Sequence, residues 1–203
     1  MQSRSHPSTE LRKALGHFAT GVTVVTTRAA DGSPEGITVN SFASVSLDPP
    51  LVLWCLGLAA ASFDTFGLSS QHLINVLAAD QADVARHFAT RGARRFDHLR
   101  WSPTEAGLPR LDGCIAWFEV GIRSRHEEGD HLILVGRIES FEIARGRPLL
   151  FFNSQFAELA GAPPAHASQA RIVRETASEV LIEVACSCGR QTLLRCQYPA
   201  APD

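Results

Sequence analysis

The stretch GITVNSFASVSLDPP, residues 36–50, alternates with the two-residue period that predicts a β-strand. One face of this strand would be mainly apolar, with Ile37, Val39, Ser41, Ala43, Val45 and Leu47. The other would carry small polar groups and one aromatic ring: Thr38, Asn40, Phe42, Ser44 and Ser46. Solvent-facing strands usually carry Lys, Glu or Arg, whereas this face has no charge. The pattern therefore indicates an uncharged hydrogen-bonding surface on the far side of a buried strand.

Short apolar segments on both sides of this stretch predict further strands, at residues 22–27, 51–57, 72–78, 114–125, 131–143, 148–152 and 179–185. Asp48-Pro49-Pro50 ends the opening strand, because proline lacks the backbone donor of a ladder. Residues 51–57 are apolar without alternation, which predicts a strand buried on both faces. About seven strands with several hairpin-length connections favour a mainly β fold, an antiparallel barrel with a few short helices.

Helices are predicted at residues 8–19, as one or two turns at 62–69, and at 80–89. Ser8 and Asp80 would cap the two longer helices. The first helix would place Leu11, Leu15 and Phe18 on one face, and the last would turn Val84 and Phe88 inward. Residues 90–112 are predicted to form a long polar loop.

The composition argues against several classes of protein. The chain has 203 residues, 45% hydrophobic and 20% charged, which is ordinary for one globular domain. A net charge of −2 and a pI of about 6.4 argue against binding to nucleic acid or to an anionic membrane. No apolar run approaches the ~18–20 residues that cross a bilayer. Because residues 1–13 contain no apolar signal-peptide core, we expect a cytoplasmic protein.

The five cysteines show no paired framework, and we expect reduced thiols acting as small core or surface residues. The alternative is a metal site built from Cys186, Cys188, Cys196 and His166. Its C-x-C-x7-C spacing matches no common structural zinc site, so the sequence favours the absence of a metal.

Motifs of several enzyme classes do not occur in the sequence: G-x-G-x-x-G after a strand, a Walker motif, G-x-S-x-G and H-E-x-x-H. A different feature is LGLAAASFDTF (56–66), a small-residue loop that leads into a predicted helix at Ser62. Helix starts attract anions, so this loop and the uncharged strand could receive a phosphate and a polar ring. Alternatively, Ser62 is only an N-cap, and Ser44 and Ser46 merely face water. The spacing alone leaves both interpretations open.

Four blocks between Leu11 and Phe156, in unbroken order, resemble the flavin reductase family. They are FATGVTVVTT (18–27), G-x-T-x-N-S-F-x-S-V-S-L-D-P-P-L-V (36–52), GDHLILVGRI (129–138) and RPLLFF (147–152). Members of this family are small NAD(P)H-dependent reductases with an FMN-binding split-barrel fold. The resemblance implies that fold and a bound flavin.

The resemblance also implies which residues surround the flavin: Glu35, Gly36, Ile37, Thr38, Asn40, Ser41, Cys55, Leu56, Ala61, Ser62, Phe88 and Ala89. The opening strand would lie along the isoalloxazine ring, whose neutral hydrogen-bonding groups match the absence of charge. The ribityl phosphate would lie at Ala61 and Ser62. Relatives often have a basic residue in the loop equivalent to 57–62, where this chain has GLAAAS. Phosphate binding would then fall to backbone amides, Ser62 and Arg86, and FMN versus FAD stays open.

A second implied site is Gly129-Asp130-His131. A lone histidine at a strand start is most often structural, but the histidine of this block in the family lies near the nicotinamide face of the flavin. The resemblance implies that His131 is the catalytic residue, a donor that orients NADH or NADPH, and that Asp130 fixes the loop or the imidazole tautomer. Asn40, Ser41 and Phe152 would complete the nicotinamide site. Relatives often continue after this position with a tyrosine and Arg-Gly, whereas this chain has Phe152-Asn153-Ser154, which puts that contact in question.

The function implied is an NAD(P)H:flavin oxidoreductase, a homodimer that reduces FMN or FAD for a separate flavin-dependent monooxygenase. Residues 1–160 would form the split-barrel domain, and residues 161–203 a C-terminal extension that is either integral or a partner-binding or thiol-based element. The alternative is a non-catalytic flavin-binding or sensory protein, indicated by the altered phosphate loop and by the FNSQF segment (152–156).

Overall fold

The computed structural model describes residues 8–90, 96–159, 168–175, 179–186 and 191–197. The chain separates into two compact units, Met1–Leu159 and Ala160–Asp203. The helices of the first unit are α1 (Ser8–Gly16), α2 (Phe63–Leu68) and α3 (Ala82–Ala89). None of the helices in the described ranges combines the length and apolar composition that a bilayer crossing requires.

The strands of the first unit fall into three antiparallel sheets. In chain order they are β1 (Thr20–Gly21), β2 (Thr23–Arg28), β3 (Pro34–Val39), β4 (Ala43–Leu47), β5 (Pro50–Gly57), β6 (Gln71–Val76), β7 (Trp101–Pro103), β8 (Pro109–Leu111), β9 (Ala116–Glu128), β10 (His131–Ile143), β11 (Leu150–Phe152) and β12 (Gln155–Ala157).

The main sheet has the order β3-β2-β6-β9-β10-β5-β4, with every neighbouring pair antiparallel. Its two edge strands, β3 and β4, are consecutive in the chain and are joined only by residues 40–42. Seven strands spaced ~4.8 Å apart would span about 29 Å if the sheet were flat, whereas four Cα–Cα steps reach at most about 15 Å. The sheet must therefore curl until its edges approach each other. This architecture confirms the mainly β, antiparallel split barrel with a few short helices.

The prediction of one continuous strand over residues 36–50 is wrong. β3 and β4 lie at opposite edges of the sheet, and residues 40–42 cross between them. The crossing is fixed to β5 by Ser41, whose Oγ accepts a hydrogen bond from Cys55 N at 2.9 Å. Phe42, within the crossing, still packs against the barrel interior. The predicted faces also change here: Val45 and Leu47, assigned to the apolar face, are exposed, whereas Phe42, assigned to the polar face, packs inward.

Apolar side chains form two clusters on opposite faces of the sheet. The barrel interior holds Val25, Val52, Trp54, Leu56, Phe66, Ile74, Val120 and Leu134. The outer cluster lies under α3 and the β7–β8 hairpin and includes Val24, Leu73, Leu77, Ala85, Phe88, Leu111, Cys114, Trp117 and Leu149. Successive residues of β2 and β6 alternate between the two clusters, as the pleat requires. β5, predicted to be buried on both faces, instead alternates between buried and half-buried residues, because only its inner face meets a cluster.

Three further predictions differ from the structure. The first helix ends at Gly16 and not at residue 19, and its apolar residues Leu11, Leu15 and Phe18 are exposed. The position before α3 is occupied by Gln81, without a side-chain capping bond, and not by Asp80. The loop predicted at 90–112 contains the β7–β8 hairpin, whose short strands alternate too briefly to be recognised. Residues 91–95 of that segment lie outside the described residues.

The second unit contains an antiparallel sheet of β13 (Ser168–Glu175), β14 (Glu179–Cys186) and β15 (Gln191–Gln197). β14 contains the strand predicted at 179–185. Of the residues considered for a metal site, Cys188 and His166 lie outside the described residues, and only the backbone of Cys186 and Cys196 is described. Within the described ranges, no group of three His, Cys, Asp or Glu side chains is placed to hold a metal ion. In the first unit Cys55 and Cys114 are free thiols, and burial raises the pKa of Cys114 to about 12, as a core thiol should show.

Candidate active site

A cavity of about 230 Å³ lies between β3, the start of α2 and the end of α3, and is here named the strand–helix pocket. Its lining, which includes no charged side chain among the described residues, consists of Ile37, Thr38, Ala60, Ala61, Ser62, Phe88, Ala89 and Thr90. Six of these residues were predicted to contact a cofactor: Ile37, Thr38, Ala61, Ser62, Phe88 and Ala89. The fold thus brings three distant segments of the predicted site to one cavity.

Close contacts between β3 and α3 shape this pocket. A methyl group placed on Gly36 would lie 2.4 Å from Phe88 Cε1, so the absence of a side chain at Gly36 lets the strand meet the ring. Two residues further along, Thr38 Oγ1 donates a hydrogen bond to Ala85 O at 2.7 Å. Glu35, the first predicted cofactor residue, is half-buried and pairs with Thr27 of β2. β3 is therefore held by α3 through the Thr38 hydrogen bond and by β2 through strand pairing.

Ser62 occupies the position before α2 and is only 6% exposed, yet its side chain makes no capping hydrogen bond. The nearby Phe63 N already donates to Ala60 O at 3.0 Å. The interpretation of Ser62 as an ordinary N-cap therefore lacks the bond that would define it, and its hydroxyl lies in the pocket lining.

Ala60 and Thr90 line the pocket but were not predicted. The run of small residues at 59–61 was a signal for Ala60, because a loop free of side-chain bulk leaves room for a ligand. Thr90 directly follows α3, and its Oγ1 donates to Arg86 O at 2.9 Å. No sequence pattern marks that position as part of a site.

Cys55, Leu56 and Ser41 do not line the strand–helix pocket. Leu56 is fully buried in the barrel interior, so only its backbone could meet a ligand. Cys55 lies on the opposite face of β5 and is half-buried. Its backbone N and O both contact Ser41 Oγ, at 2.9 and 3.4 Å. The Ser41 hydroxyl therefore links the crossing to β5.

The β9–β10 hairpin presents the second predicted site. Gly129 has a φ of +63°, in the left-handed region that glycine tolerates best, which allows the tight turn before β10. Beyond the turn, Leu58 N donates to Asp130 O at 3.0 Å, and a methyl group on Gly57 would lie 3.7 Å from His131 Nε2. The loop that begins at Gly57 continues to Ser62. One segment therefore contacts His131 at its start and lines the strand–helix pocket at its end.

Asp130 and His131 form a hydrogen-bonded pair, with His131 Nδ1 2.7 Å from Asp130 Oδ1. This bond, the charge of His131 and a smaller contribution from Arg12 of α1 lower the pKa of Asp130. A carboxylate at this distance requires the proton on Nδ1, so the neutral ring presents a lone pair at Nε2. The imidazole is half-exposed, so Nε2 is accessible to a ligand.

Asn40 lies in another cavity, of about 270 Å³, beside α1. This cavity, here named the α1 pocket, is lined by Arg12, Leu15, Gly16, Phe18, Asn40, Phe151 and Ser154. Phe152, predicted as an apolar wall, does not line it and instead packs edge-on against His17, with ring centroids 6.2 Å apart. The side chains of Phe151 and Phe152 leave opposite faces of β11, which explains why only one of them reaches the cavity.

Arg86, which the sequence suggested as a phosphate ligand, lines neither pocket. Its guanidinium pairs with Asp83 Oδ1 at 2.7 Å and lies 5.2 Å from the ring centroid of Phe156. The charge of Arg86 therefore lies on the exposed face of α3, away from the strand–helix pocket.

The flavin reductase like domain matches residues 15–160 of the chain. The chain belongs to the flavin reductase family. The matched range contains every residue of the two pockets except Arg12, and it also contains Asp130 and His131.

Similar proteins agree with this assignment. The chain is 46% identical over 147 residues to the reductase component of the flavin-dependent trigonelline monooxygenase of Acinetobacter baylyi, a match that covers 72% of this chain and 47% of that protein. It is 44% identical over 149 residues to FMN reductase (NADH) SmoA of Agrobacterium fabrum, covering 73% and 84%. The chain therefore spans about half the length of the first relative and most of the second.

Among solved structures, the NADH:FAD oxidoreductase SgcE6 of Streptomyces globisporus, in complex with NAD and FAD fragments, superposes with a TM-score of 0.72. It is 37% identical, and the match covers 76% of this chain and 93% of that one. The agreement is one of fold as well as sequence.

Proposed function

We propose that the protein is an NAD(P)H:flavin oxidoreductase, which transfers hydride from NADH or NADPH to FMN or FAD. The observation that carries this proposal is the loop 57–62, which lines the uncharged strand–helix pocket and also contacts the Asp130–His131 pair. Hydride transfer requires a nicotinamide and a flavin to lie face to face, and this loop joins the two sites that would receive them. Family membership and the named activities of the relatives support the same reaction.

The lining of the strand–helix pocket fits part of a flavin. The ring carries neutral carbonyls and ring nitrogens, which suit hydroxyl and backbone partners and would gain nothing from a buried charge. When bound, the flavin supplies the hydride-accepting chemistry. The protein would hold it along β3, with Ser62 at its phosphate, through the predicted set Glu35, Gly36, Ile37, Thr38, Asn40, Ser41, Cys55, Leu56, Ala61, Ser62, Phe88 and Ala89.

His131 is the proposed catalytic residue, with Asn40, Ser41 and Phe152 as its predicted companions at the nicotinamide. Its Nε2 lies beside Gly57, at the edge of the loop that leads to the flavin pocket. With Nδ1 committed to Asp130, Nε2 would accept a hydrogen bond from the nicotinamide carboxamide, or donate one when protonated. Either bond orients the ring without moving a proton in the hydride step, so His131 contributes alignment.

The reduced flavin would be used by a separate flavin-dependent monooxygenase, as the name of the trigonelline relative indicates for that protein.

We also propose a homodimer. Leu47, Phe141 and Ile143 are 93%, 62% and 76% exposed, and large apolar side chains on strands favour coverage by a second copy. Residues 1–160 would be the catalytic domain and residues 161–203 an accessory extension. A cytoplasmic location is consistent with the use of NAD(P)H, and nothing in the proposed chemistry requires nucleic acid or a membrane.

The decisive experiment is an NAD(P)H oxidation assay with riboflavin, FMN and FAD, run beside an absorbance spectrum of the purified full-length protein. We expect flavin-dependent oxidation of at least one nicotinamide nucleotide. Protein that oxidises neither nucleotide with any of the three flavins would contradict the proposal.

A second candidate function, a non-catalytic flavin-binding or sensory protein, is favoured by one observation: the described lining of the strand–helix pocket includes no cation for a phosphate. It predicts a purified protein that is yellow but inert towards both nucleotides. The assay and the spectrum together distinguish the two functions.

A further inference from the structure

We infer that the α1 pocket binds the phosphate-bearing part of the dinucleotide reductant, with Arg12 as the cation that anchors it. This inference rests on the proposed function and deepens it, because it assigns a subsite and an anchoring residue to NADH or NADPH. Three observations support the assignment: the position of the α1 pocket, the residues that line it, and the contacts that fix its walls.

Arg12 lies on α1 and lines the same cavity as Asn40. The residue after Asn40, Ser41, is bonded to Cys55 of β5, the strand whose Gly57 pairs with His131. In agreement, the charge of Arg12 contributes to the lowered pKa of Asp130, whose carboxylate is bonded to His131. In a dinucleotide, a single ribose separates the nicotinamide from the pyrophosphate. A nicotinamide aligned by His131 would therefore place its phosphates about one ribose away, and the α1 pocket offers Arg12 as a cation to receive them.

The lining of the α1 pocket matches such a ligand. Among the described residues, none forms a salt bridge or hydrogen bond with the Arg12 side chain, so its planar donor fork is available for a phosphate. Asn40 and Ser154 add hydrogen-bonding groups. Leu15 and Phe18 are 65% and 77% exposed and give this cavity an apolar edge on which a flat ring such as adenine could stack.

A hydrogen bond and a tight turn fix the walls of the α1 pocket. Asn153 N donates to Gly16 O at 2.8 Å, which fastens the end of α1 to the β11–β12 hairpin. Asn153 and Ser154 have φ values of 49° and 61°, the two left-handed positions of a tight two-residue hairpin turn. This turn belongs to the FNSQF segment, where the chain departs from the pattern of its relatives. Ser154 of that segment lines the α1 pocket.

The test compares Arg12→Ala and Arg12→Glu with Lys13→Ala, a neighbouring exposed cation that does not line the pocket. Each protein is assayed with NADH and with 1-benzyl-1,4-dihydronicotinamide, a hydride donor that has no phosphate. We expect Arg12→Ala to raise the KM for NADH roughly ten- to a hundredfold, the range for loss of a charge-assisted hydrogen bond, and Arg12→Glu to raise it further. Rates with the phosphate-free donor, the KM for flavin and every value for Lys13→Ala should stay within about twofold of wild type.

The possible results separate this inference from the proposed function. A wild-type protein that oxidises neither donor refutes the proposed function itself. An active wild type whose KM for NADH is unchanged by Arg12→Ala overturns the subsite alone. Equal losses with both donors would mean that Arg12 supports the fold or the hydride step, which also overturns it. A change in oligomeric mass by light scattering, without a change in KM, would show that the α1 face is a protein interface.

Discussion

Two histidines of the same barrel have opposite surroundings. His72, on β6, is fully buried, with its ring 5.3 Å from Trp54 and 5.5 Å from Phe66 between centroids. Its Nε2 lies 3.2 Å from Phe66 O. His131, at the start of β10, is half-exposed and bonded to Asp130. Burial lowers the pKa of His72 to about 3, so the ring is a neutral part of the core, whereas the His131 side chain is 49% exposed.

The local sequences of the two histidines are nearly the same, QHLINV at 71–76 and DHLILV at 130–135. Both predict a histidine near the start of an apolar strand. Both strands are internal to the sheet, so the difference arises at their ends: α2 covers the beginning of β6, whereas β10 begins at the open turn of a hairpin. A histidine therefore becomes structural or functional according to what covers its strand end.

Replacing His72 should have the largest effect on stability. His72→Ala would leave a cavity beside Trp54 and Phe66, and we expect the free energy of unfolding to fall by about 2–5 kcal/mol. His126→Ala is the matched control, since His126 is an exposed histidine on β9 and should change the value by less than about 0.5 kcal/mol. Urea unfolding at pH 7 measures both. Equal values for the two variants would refute the contrast between buried and exposed histidines.

Gly36 is buried and directly precedes Ile37 and Thr38, which line the strand–helix pocket. A substitution at Gly36 should therefore affect both the stability of the core and the binding of a ligand in that pocket. Gly36→Ala would place a methyl group 2.4 Å from Phe88, whose ring is itself buried. We expect a loss of about 1–3 kcal/mol in stability and at least about tenfold weaker flavin binding. Gly21→Ala is the control, because no atom lies within 4 Å of the added group. Flavin fluorescence titration gives the affinity, and an unchanged value would mean that β3 does not shape the flavin site.

The burial of His72 should also link stability to pH. The unfolded chain protonates His72 near pH 6.5, whereas the native state resists protonation until about pH 3. Between these values the unfolded state holds the extra proton, so stability must fall as the pH falls, by about 1.4 kcal/mol per pH unit from this group. His72→Leu should show a shallower dependence of the unfolding free energy on pH from 6.5 to 4.5. Parallel curves for wild type and variant would contradict the burial of His72 as a neutral ring.

The smallest expected change in free energy comes from His131. His131→Ala should alter stability by less than about 0.5 kcal/mol, because the side chain is half-exposed and packs against no cluster. We expect kcat/KM for NADH to fall at least about tenfold, or about 1.4 kcal/mol, with flavin affinity unchanged. Stopped-flow reduction of bound flavin measures the effect directly, with His126→Ala as the control. Wild-type kinetics in the variant would remove His131 from the mechanism.

Much of the candidate site could be predicted as separate segments. The resemblance identified Ile37, Thr38, Ala61, Ser62, Phe88 and Ala89, which the fold assembles around one cavity. It grouped Asn40 with the flavin and nicotinamide residues, whereas the structure places Asn40 with Arg12 in the α1 pocket. It did not single out Arg12, because nothing in the helix sequence indicates that Arg12 shares a cavity with Asn40 and Ser154.

The sequence by itself determined the local elements: where apolar alternation makes strands, where Gly129 permits a turn, and which blocks identify the flavin reductase family. These follow from steric and burial preferences that act over a few residues. Only the tertiary structure decided that β3 and β4 lie at opposite edges of one sheet, and that residues 40–42 close the gap between them. Strand order depends on contacts between residues far apart in the chain, and these are selected by packing of the whole barrel, which no short pattern encodes.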